Sequence, residues 1–194
     1  QQDRLWERSR SSMVCGQTVG VIGLGRIGSE VAKLCKNFGM RVLANKRTQI
    51  DPPEYVDQLF GPDGLHEMLA QSDYVVLALP SIPDTIKLVG SAEFRAMTPT
   101  AIFINIARGV QVDEPAMAEA LVRGDIAGAG LDVVEVEPLS KDSPLWNLDN
   151  VIITPHASAS VADYGYEVAK ECAANLRRYI DGKPLRHIVD KEKG

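Results

Sequence analysis

The chain has 194 residues, 45% apolar and 24% charged, an ordinary globular composition that is long enough for one domain with a sizeable core and short for two. With 21 basic against 26 acidic side chains the net charge is −5, which argues against the basic stripe of a nucleic-acid or anionic-membrane surface. No apolar run approaches the ~20 residues of a membrane span and no signal-peptide pattern is present, and Cys15, Cys35 and Cys172 are too scattered for a metal site or a disulfide framework, so they read as reduced, partly buried thiols of a cytoplasmic protein.

The first apolar run, Thr18 to Ile22, leads into Gly23-Leu24-Gly25-Arg26-Ile27-Gly28, which opens an amphipathic segment reaching Phe38. Strand, glycine turn, helix is the order a dinucleotide pyrophosphate requires. Gly23 permits the tight turn, Gly25 lets the backbone approach the phosphates, and Gly28 lets the helix pack closely on the strand with its N-terminus facing the anion. A second strand, Arg41 to Ala44, ends in Asn45-Lys46-Arg47-Thr48. Lys46 lies 18 residues beyond Gly28, where an NAD-binding chain places an acid on the ribose 2′-hydroxyl. Two cations and a hydroxyl suit a 2′-phosphate instead, which favours NADP(H) and leaves NAD(H) possible. The same residues also read as a solvated basic turn.

Farther along, 49–63 reads as an irregular stretch rich in Pro, Gly and acids, followed by a short helix near Leu65 to Ala70. Tyr74 to Leu79 is apolar on both faces, as a strand buried between helix layers must be, and Pro80 stops it. Ser91 to Met97 reads as a short helix entered by a Ser cap, and Ala101 to Ile106 as the next buried strand. Asp113 to Arg123 is predicted as a helix capped by Asp113, with Pro115 in its first turn and Gly124 as its stop. Ile126 to Val133 and Val151 to Thr154 complete the strands. Val161, Tyr164, Val168, Cys172, Leu176 and Tyr179 recur at helical spacing up to Ile180, with Gly182 after them. Alternating strands and helices predict an α/β fold, a doubly wound parallel sheet.

Ligands of such sheets bind beyond the carboxyl ends of the strands. Three residues with chemistry stand there: Arg108, Glu137 and His156. Singly, each has a plainer reading, as a surface or helix-end Arg, a solvated loop Glu and a structural His. Their shared position on the cofactor side points to a site.

These stretches, taken together, resemble the cofactor domain of the D-isomer-specific 2-hydroxyacid dehydrogenases. The resemblance runs through 18–28, through Ile104-Asn-Ile-Ala-Arg-Gly109 with Val112-Asp113-Glu114, through Gly130-Leu-Asp-Val133 with Glu137-Pro138-Leu139, and through Val151-Ile-Ile-Thr-Pro-His156. It implies a Rossmann NAD(P)-binding domain in which Arg108 binds the carboxylate and carbonyl of a small 2-keto or 2-hydroxy acid. His156 is then the general acid/base, held and charge-stabilised by Glu137. Asp132 would contact the nicotinamide end, and Arg26 and Ile27 would lie on the pyrophosphate. Leu79, Pro80 and Thr85 would line the cleft, with Ile106, Ala107 and Ser158 also on the cofactor. No metal is implied. Two departures stand out: Lys46-Arg47 replaces the usual acid, and Ala157-Ser158-Ala159 follows His156 where the family often has glycines.

The resemblance also implies a substrate domain before the glycine motif. Residues 1–16 are then expected to be a connecting segment from it, 17–160 the dinucleotide-binding domain, and 161–194 a helix and tail returning toward it, with the helix's apolar face partly uncovered. A homodimer through the cofactor domain is expected, with Leu5-Trp6 either in that contact or packed on the sheet. Three readings follow. An NAD(P)-dependent 2-ketoacid reductase acting on substrates such as glyoxylate, hydroxypyruvate or phosphoglycerate is preferred over a formate dehydrogenase relative, which would carry Gln in place of Glu137, and over a dinucleotide-sensing protein of the corepressor type.

Overall fold

The computed structural model describes residues 11–48 and 50–189, so the expectations placed on Leu5-Trp6 and on the first ten residues lie outside the described residues. The strands are β1 (Thr18–Ile22), β2 (Arg41–Asn45), β3 (Gln58–Phe60), β4 (Tyr74–Leu77), β5 (Ile102–Asn105), β6 (Gly128–Leu131) and β7 (Val151–Ile153). They form one sheet in the order β3-β2-β1-β4-β5-β6-β7, every pair parallel. The order reverses between β1 and β4, and a crevice for a ligand opens at such a point. The helices are α1 (Arg26–Asn37), α2 (Leu65–Leu69), α3 (Ser91–Ala96), α4 (Glu114–Arg123) and α5 (Tyr164–Ile180).

Successive strand residues point to opposite faces, and the two faces bury different helices. Ile22, Leu43, Val75, Leu77 and Phe103 face α2, α3 and α4 through Met68, Leu69, Phe94, Met97, Met117 and Leu121. Phe94 and Phe103 meet there edge to face, with ring centroids 5.4 Å apart. Val19, Val21, Val42, Ala44 and Val76 point the other way and pack on α1 through Ala32, Val31 and Cys35. That second face is not covered along its whole width. Ile152 of β7 is 73% exposed, and α5 buries none of its residues, so the apolar side of this helix is exposed.

The structure corrects several boundaries. The stretch read as irregular contains the edge strand β3 and a 3-10 turn at Pro62–Gly64; a three-residue strand is too short to show a period of two. Ser91 is the first residue of α3 and not its cap. Gly90 holds that position, and its N–H donates to the Glu93 carboxylate at 2.9 Å. The last helix begins at Tyr164 and not at Val161, and β4 to β7 end earlier than their apolar runs. Cys35 is partly buried, whereas Cys15 and Cys172 are exposed. α4 is as read: the Asp113 carboxylate accepts from the Ala116 N–H at 3.2 Å, and Gly124 ends the helix with a φ of 74°.

The turn after β1 depends on two glycines in contact. Gly23 adopts a φ of 99°, and a Cβ there would lie 2.7 Å from the Ala78 carbonyl oxygen. A Cβ on Gly28 would collide with the Gly23 carbonyl and approach Val21, so only hydrogen lets α1 start this close to its strand. Gly28→Ala is expected to destabilise the protein by about 1–3 kcal/mol through overpacking, read as a lower urea midpoint at unchanged slope.

Candidate cofactor cleft and active site

The carboxyl ends of β1, β2 and β4 enclose a cavity of about 440 Å³, within the range of small-molecule sites. Gly23, Leu24 and Gly25 form its floor, Asn45, Lys46, Arg47 and Thr48 one wall, and Leu79, Pro80, Asp84 and Thr85 the other. Above Gly25 the space is open, since a Cβ there would meet nothing within 4 Å. No side chain caps the first turn of α1 and no acid occupies it, so the N–H groups of that turn remain available to an anion. An anionic dinucleotide fits this donor set.

The cations of the basic turn already have partners. The Lys46 ammonium donates to the Leu24 carbonyl at 3.1 Å, tying the basic turn to the glycine turn. Arg47 reaches across the cavity mouth to Asp84 at 3.6 Å. The Asn45 amide donates to the Gly61 carbonyl, which commits it to the neighbouring edge. Arg26 and Ile27 are exposed at the start of α1, outside the lining, and Gly28 is buried beneath them. The Thr85 hydroxyl is committed to the wall, being within 3.0 Å of the Pro80 and Ile82 carbonyls and of the Ile82 N–H.

Past the ends of β5, β6 and β7 the structure brings Arg108, Glu137 and His156 together. His156 Nδ1 is 2.8 Å from Glu137 Oε2. That hydrogen bond holds the Glu137 carboxyl below its ordinary range against the opposing effect of burial, and the Val134 N–H and the charges of His156 and Arg108 act in the same direction. The Arg108 guanidinium itself donates through Nη1 to the Ala107 carbonyl at 2.7 Å. Its loop is pressed against the Glu137 loop because Gly109 has no side chain: a Cβ there would run into the Val134 carbonyl and the Glu135 nitrogen. Among the described residues His156 Nε2 has no hydrogen-bond partner, and the ring is half exposed. Ile106 packs with the α1 core and Ala107 is buried between it and Arg108.

Asp132 carries the His156 loop. It is 6% exposed, and its Oδ1 accepts from Thr154 Oγ1 at 2.7 Å, the Ala157 N–H at 2.9 Å and the Ser158 N–H at 3.1 Å. Its carbonyl accepts from the His156 N–H at 2.8 Å. His156 itself has a φ of 50°, a left-handed conformation uncommon outside glycine, so the loop is held in a shape that its anchor must enforce. Burial would raise the Asp132 pKa, but the hydrogen bonds from Ser158, Thr154 and Ala157 outweigh it and hold the carboxyl well below the usual range. The side chain expected on the nicotinamide end is thus committed to supporting the histidine.

Three residues of the site have no signal in the sequence. Asp84 stands in an exposed turn. Asn105 ends a buried strand, and its side-chain oxygen accepts from the Ala107 N–H at 3.0 Å while its amide donates to the Arg108 carbonyl at 3.2 Å. Gln111 lies between Val110 and Val112, where alternation would expose it. The structure buries it completely and leaves Val110 38% exposed.

The family model for the D-isomer specific 2-hydroxyacid dehydrogenase, NAD binding domain, matches residues 1–158. The glyoxylate reductase of Thermococcus gammatolerans is 44% identical over 182 residues, covering 92% of this chain and 53% of that protein. Among solved structures, the NADPH-dependent glyoxylate/hydroxypyruvate reductase of Sinorhizobium meliloti in complex with NADP and sulfate superposes with a TM-score of 0.88 at 31% identity, covering 99% of this chain and 61% of that one. A probable 2-hydroxyacid dehydrogenase of Rhizobium etli in complex with NADP, HEPES and tartaric acid gives a TM-score of 0.87 at 34% identity, covering 98% and 61%. The chain spans about half the length of the glyoxylate reductases it matches.

The Asp132 anchor makes a pH prediction with a definite sign. A carboxylate whose folded pKa is depressed contributes its full stabilisation above its unfolded value, about 3.9, and loses it progressively as pH falls from there through the lower folded value. The His156 loop should therefore outlast ordinary carboxylate contacts in an acid titration. Asp132→Asn should lower hydrogen-exchange protection of the Ala157 and Ser158 amides about tenfold or more, while Glu137→Gln should leave both protected.

Proposed function

Because the chain belongs to the D-isomer specific 2-hydroxyacid dehydrogenase family, we propose that the whole protein is a 2-ketoacid reductase, an NAD(P)-dependent oxidoreductase that favours NADPH and acts on a small substrate of the glyoxylate, hydroxypyruvate or phosphoglycerate kind. The observation that carries this reading is the 2.8 Å contact of His156 Nδ1 with Glu137 beside Arg108. When bound, the nicotinamide supplies the hydride that reduces the carbonyl carbon. Arg108 offers a planar fork of donors to the carboxylate and carbonyl of the keto acid. Glu137 holds the imidazole by Nδ1 and balances its positive charge, which leaves Nε2 to give a proton to the carbonyl oxygen and to retrieve it in the oxidative direction. Glu137 supports an acid/base reaction over formate oxidation, whose enzymes would carry Gln at that position and need no proton transfer. Asp132 keeps the ring in place through the loop that it anchors.

Two elements of the cleft support NADPH, the first as it would any dinucleotide and the second through the 2′-phosphate. The free N–H groups of α1 suit the pyrophosphate, and Lys46, Arg47 and Thr48 stand where a ribose 2′-phosphate would fall. The relatives' greater length supports a further domain beside residues 17–160, and the exposed apolar side of α5 is a surface for it to cover. A homodimer and a cytoplasmic location belong to the same reading, the latter supported by three unpaired cysteines. Among the described residues no helix is long and apolar enough to cross a membrane.

Two measurements test the reading. NADPH-dependent reduction of glyoxylate or hydroxypyruvate by the whole protein should fall by two to four orders of magnitude in His156→Ala, the usual scale of general acid/base catalysis. Cofactor-dependent binding of a partner protein without any such reduction would favour the sensor instead. Titration with NADPH and NADH should show at least about tenfold tighter NADPH binding, about 1.4 kcal/mol, and the preference should disappear in Lys46→Ala/Arg47→Ala. Equal affinities in the unaltered protein would return the basic pair to a solvated turn and the cofactor to NAD.

A further inference from the structure

Gln111 is a primary amide with no exposed surface, and a buried amide is costly unless its donors and acceptor are matched. Here they are matched across the gap between the cofactor cleft and the Arg108 loop. Oε1 accepts from the Arg108 N–H at 3.1 Å, while Nε2 donates to the Pro80 carbonyl at 2.9 Å and to Thr85 Oγ1 at 3.1 Å. The Thr85 hydroxyl in turn accepts from the Ile82 N–H at 3.0 Å, so the bonds run from one wall of the cavity to the backbone of Arg108 without interruption. Asn105 also holds this backbone, at the Ala107 N–H and the Arg108 carbonyl, but Asn105 ends the strand that leads into this loop and reaches neither wall of the cavity. Gln111 is the side chain that ties the two together.

We propose that Gln111 is a positioning residue, which sets Arg108 relative to the wall of the cofactor cleft and so controls binding of the keto-acid carboxylate without touching it. This rests on the reading of Arg108 as the carboxylate partner. An Arg guanidinium recognises a carboxylate through two parallel bonds and tolerates little displacement. Its backbone N–H is fixed by a side chain whose other end is anchored in Pro80 and Thr85, so a change in that wall is passed to the base of Arg108. Burial of the amide excludes water as a substitute partner.

The test is a double-mutant cycle on the whole protein, read as KM for the faster of glyoxylate and hydroxypyruvate at saturating NADPH. Gln111→Met keeps the volume and removes the amide. It should raise the keto-acid KM about tenfold while the NADPH dissociation constant changes less than about twofold, and it should add nothing further once Arg108→Ala is present. An unchanged KM in Gln111→Met, or the same tenfold increase with Arg108 already removed, would overturn the coupling. If Gln111→Met does not fold, Thr85→Val removes one of the two anchors of the amide and carries the same cycle. A KM increase of about threefold that vanishes without Arg108 supports the proposal, and no increase overturns it. The two levels of failure separate cleanly: Arg108→Ala with unchanged KM, or turnover of neither acid, would remove the site reading itself and this inference with it.

Discussion

Parallel pairing is the constraint from which the rest of the molecule follows. Two parallel neighbours cannot be joined by a tight turn, so each connection must cross a face of the sheet and all strands must end on the same edge. Seven strands ending together gather the loops after β1, β2, β4, β5, β6 and β7 along one rim, although the residues they carry are more than a hundred positions apart in the chain. The reversal of order between β1 and β4 divides the outgoing loops and leaves the cavity between the glycine turn, the basic turn and the Pro80–Thr85 wall. The site is in this sense a consequence of topology, with its chemistry supplied by whichever side chains stand at the rim.

A rim made of loops has a physical difficulty. Backbone N–H and C=O groups that would be paired within a strand lose their partners there, and those shielded from water must be satisfied otherwise. The structure meets this with polar side chains at the strand ends or in the loops just beyond them. Asn45 serves the loop after β3, Asn105 the Ala107–Arg108 peptides, Asp132 the Thr154–Ser158 loop, and Gln111 the gap between two loops. Each puts a buried or half-buried acceptor or donor where the chain leaves the sheet. Rigidity at the rim and placement of the reactive groups are therefore the same set of hydrogen bonds, which is why His156 can be kept at an unfavourable positive φ.

Periodicity and turn chemistry made most of this legible in the sequence. The apolar runs at 74–79 and 101–106, the Asp113 cap, the Gly124 stop and the glycine turn each have a local cause; the cap, the stop and the turn stand where they were read, while the two strands are shorter, 74–77 and 102–105. What escaped was non-local. β3 is three residues long and is a strand only because β2 offers it an edge. The cap at Ser91 is the local exception, since Glu93 reaching back three residues to Gly90 takes that place. Gln111 violates the alternation around it because its partners, Pro80 and Thr85, lie about thirty residues earlier in the chain. The candidate site shows the same division: Arg108, Glu137 and His156 were visible as chemistry at strand ends, whereas Asn105 and Gln111, and the supporting role of Asp132, which was read as a cofactor contact, were visible only once the fold brought the loops together.

The basic turn carries the argument about cofactor choice one step further. Lys46 and Arg47 are not free charges waiting for a phosphate; Lys46 braces the glycine turn and Arg47 pairs with Asp84 across the mouth of the cavity. Both members of the Arg47–Asp84 pair are exposed, and a pair of that kind contributes at most about 1 kcal/mol. On the proposed NADPH reading, a dianionic phosphate would offer the guanidinium stronger, bidentate hydrogen bonds, so exchange of Asp84 for a 2′-phosphate would be favourable, while a ribose hydroxyl would offer too little to displace it. Asp84 then repels the same phosphate and limits how tightly the pair can close on it. On that reading, preference for the phosphorylated cofactor is a difference between two solvent-screened interactions at one arginine, and Asp84 is as much a part of it as the cations opposite.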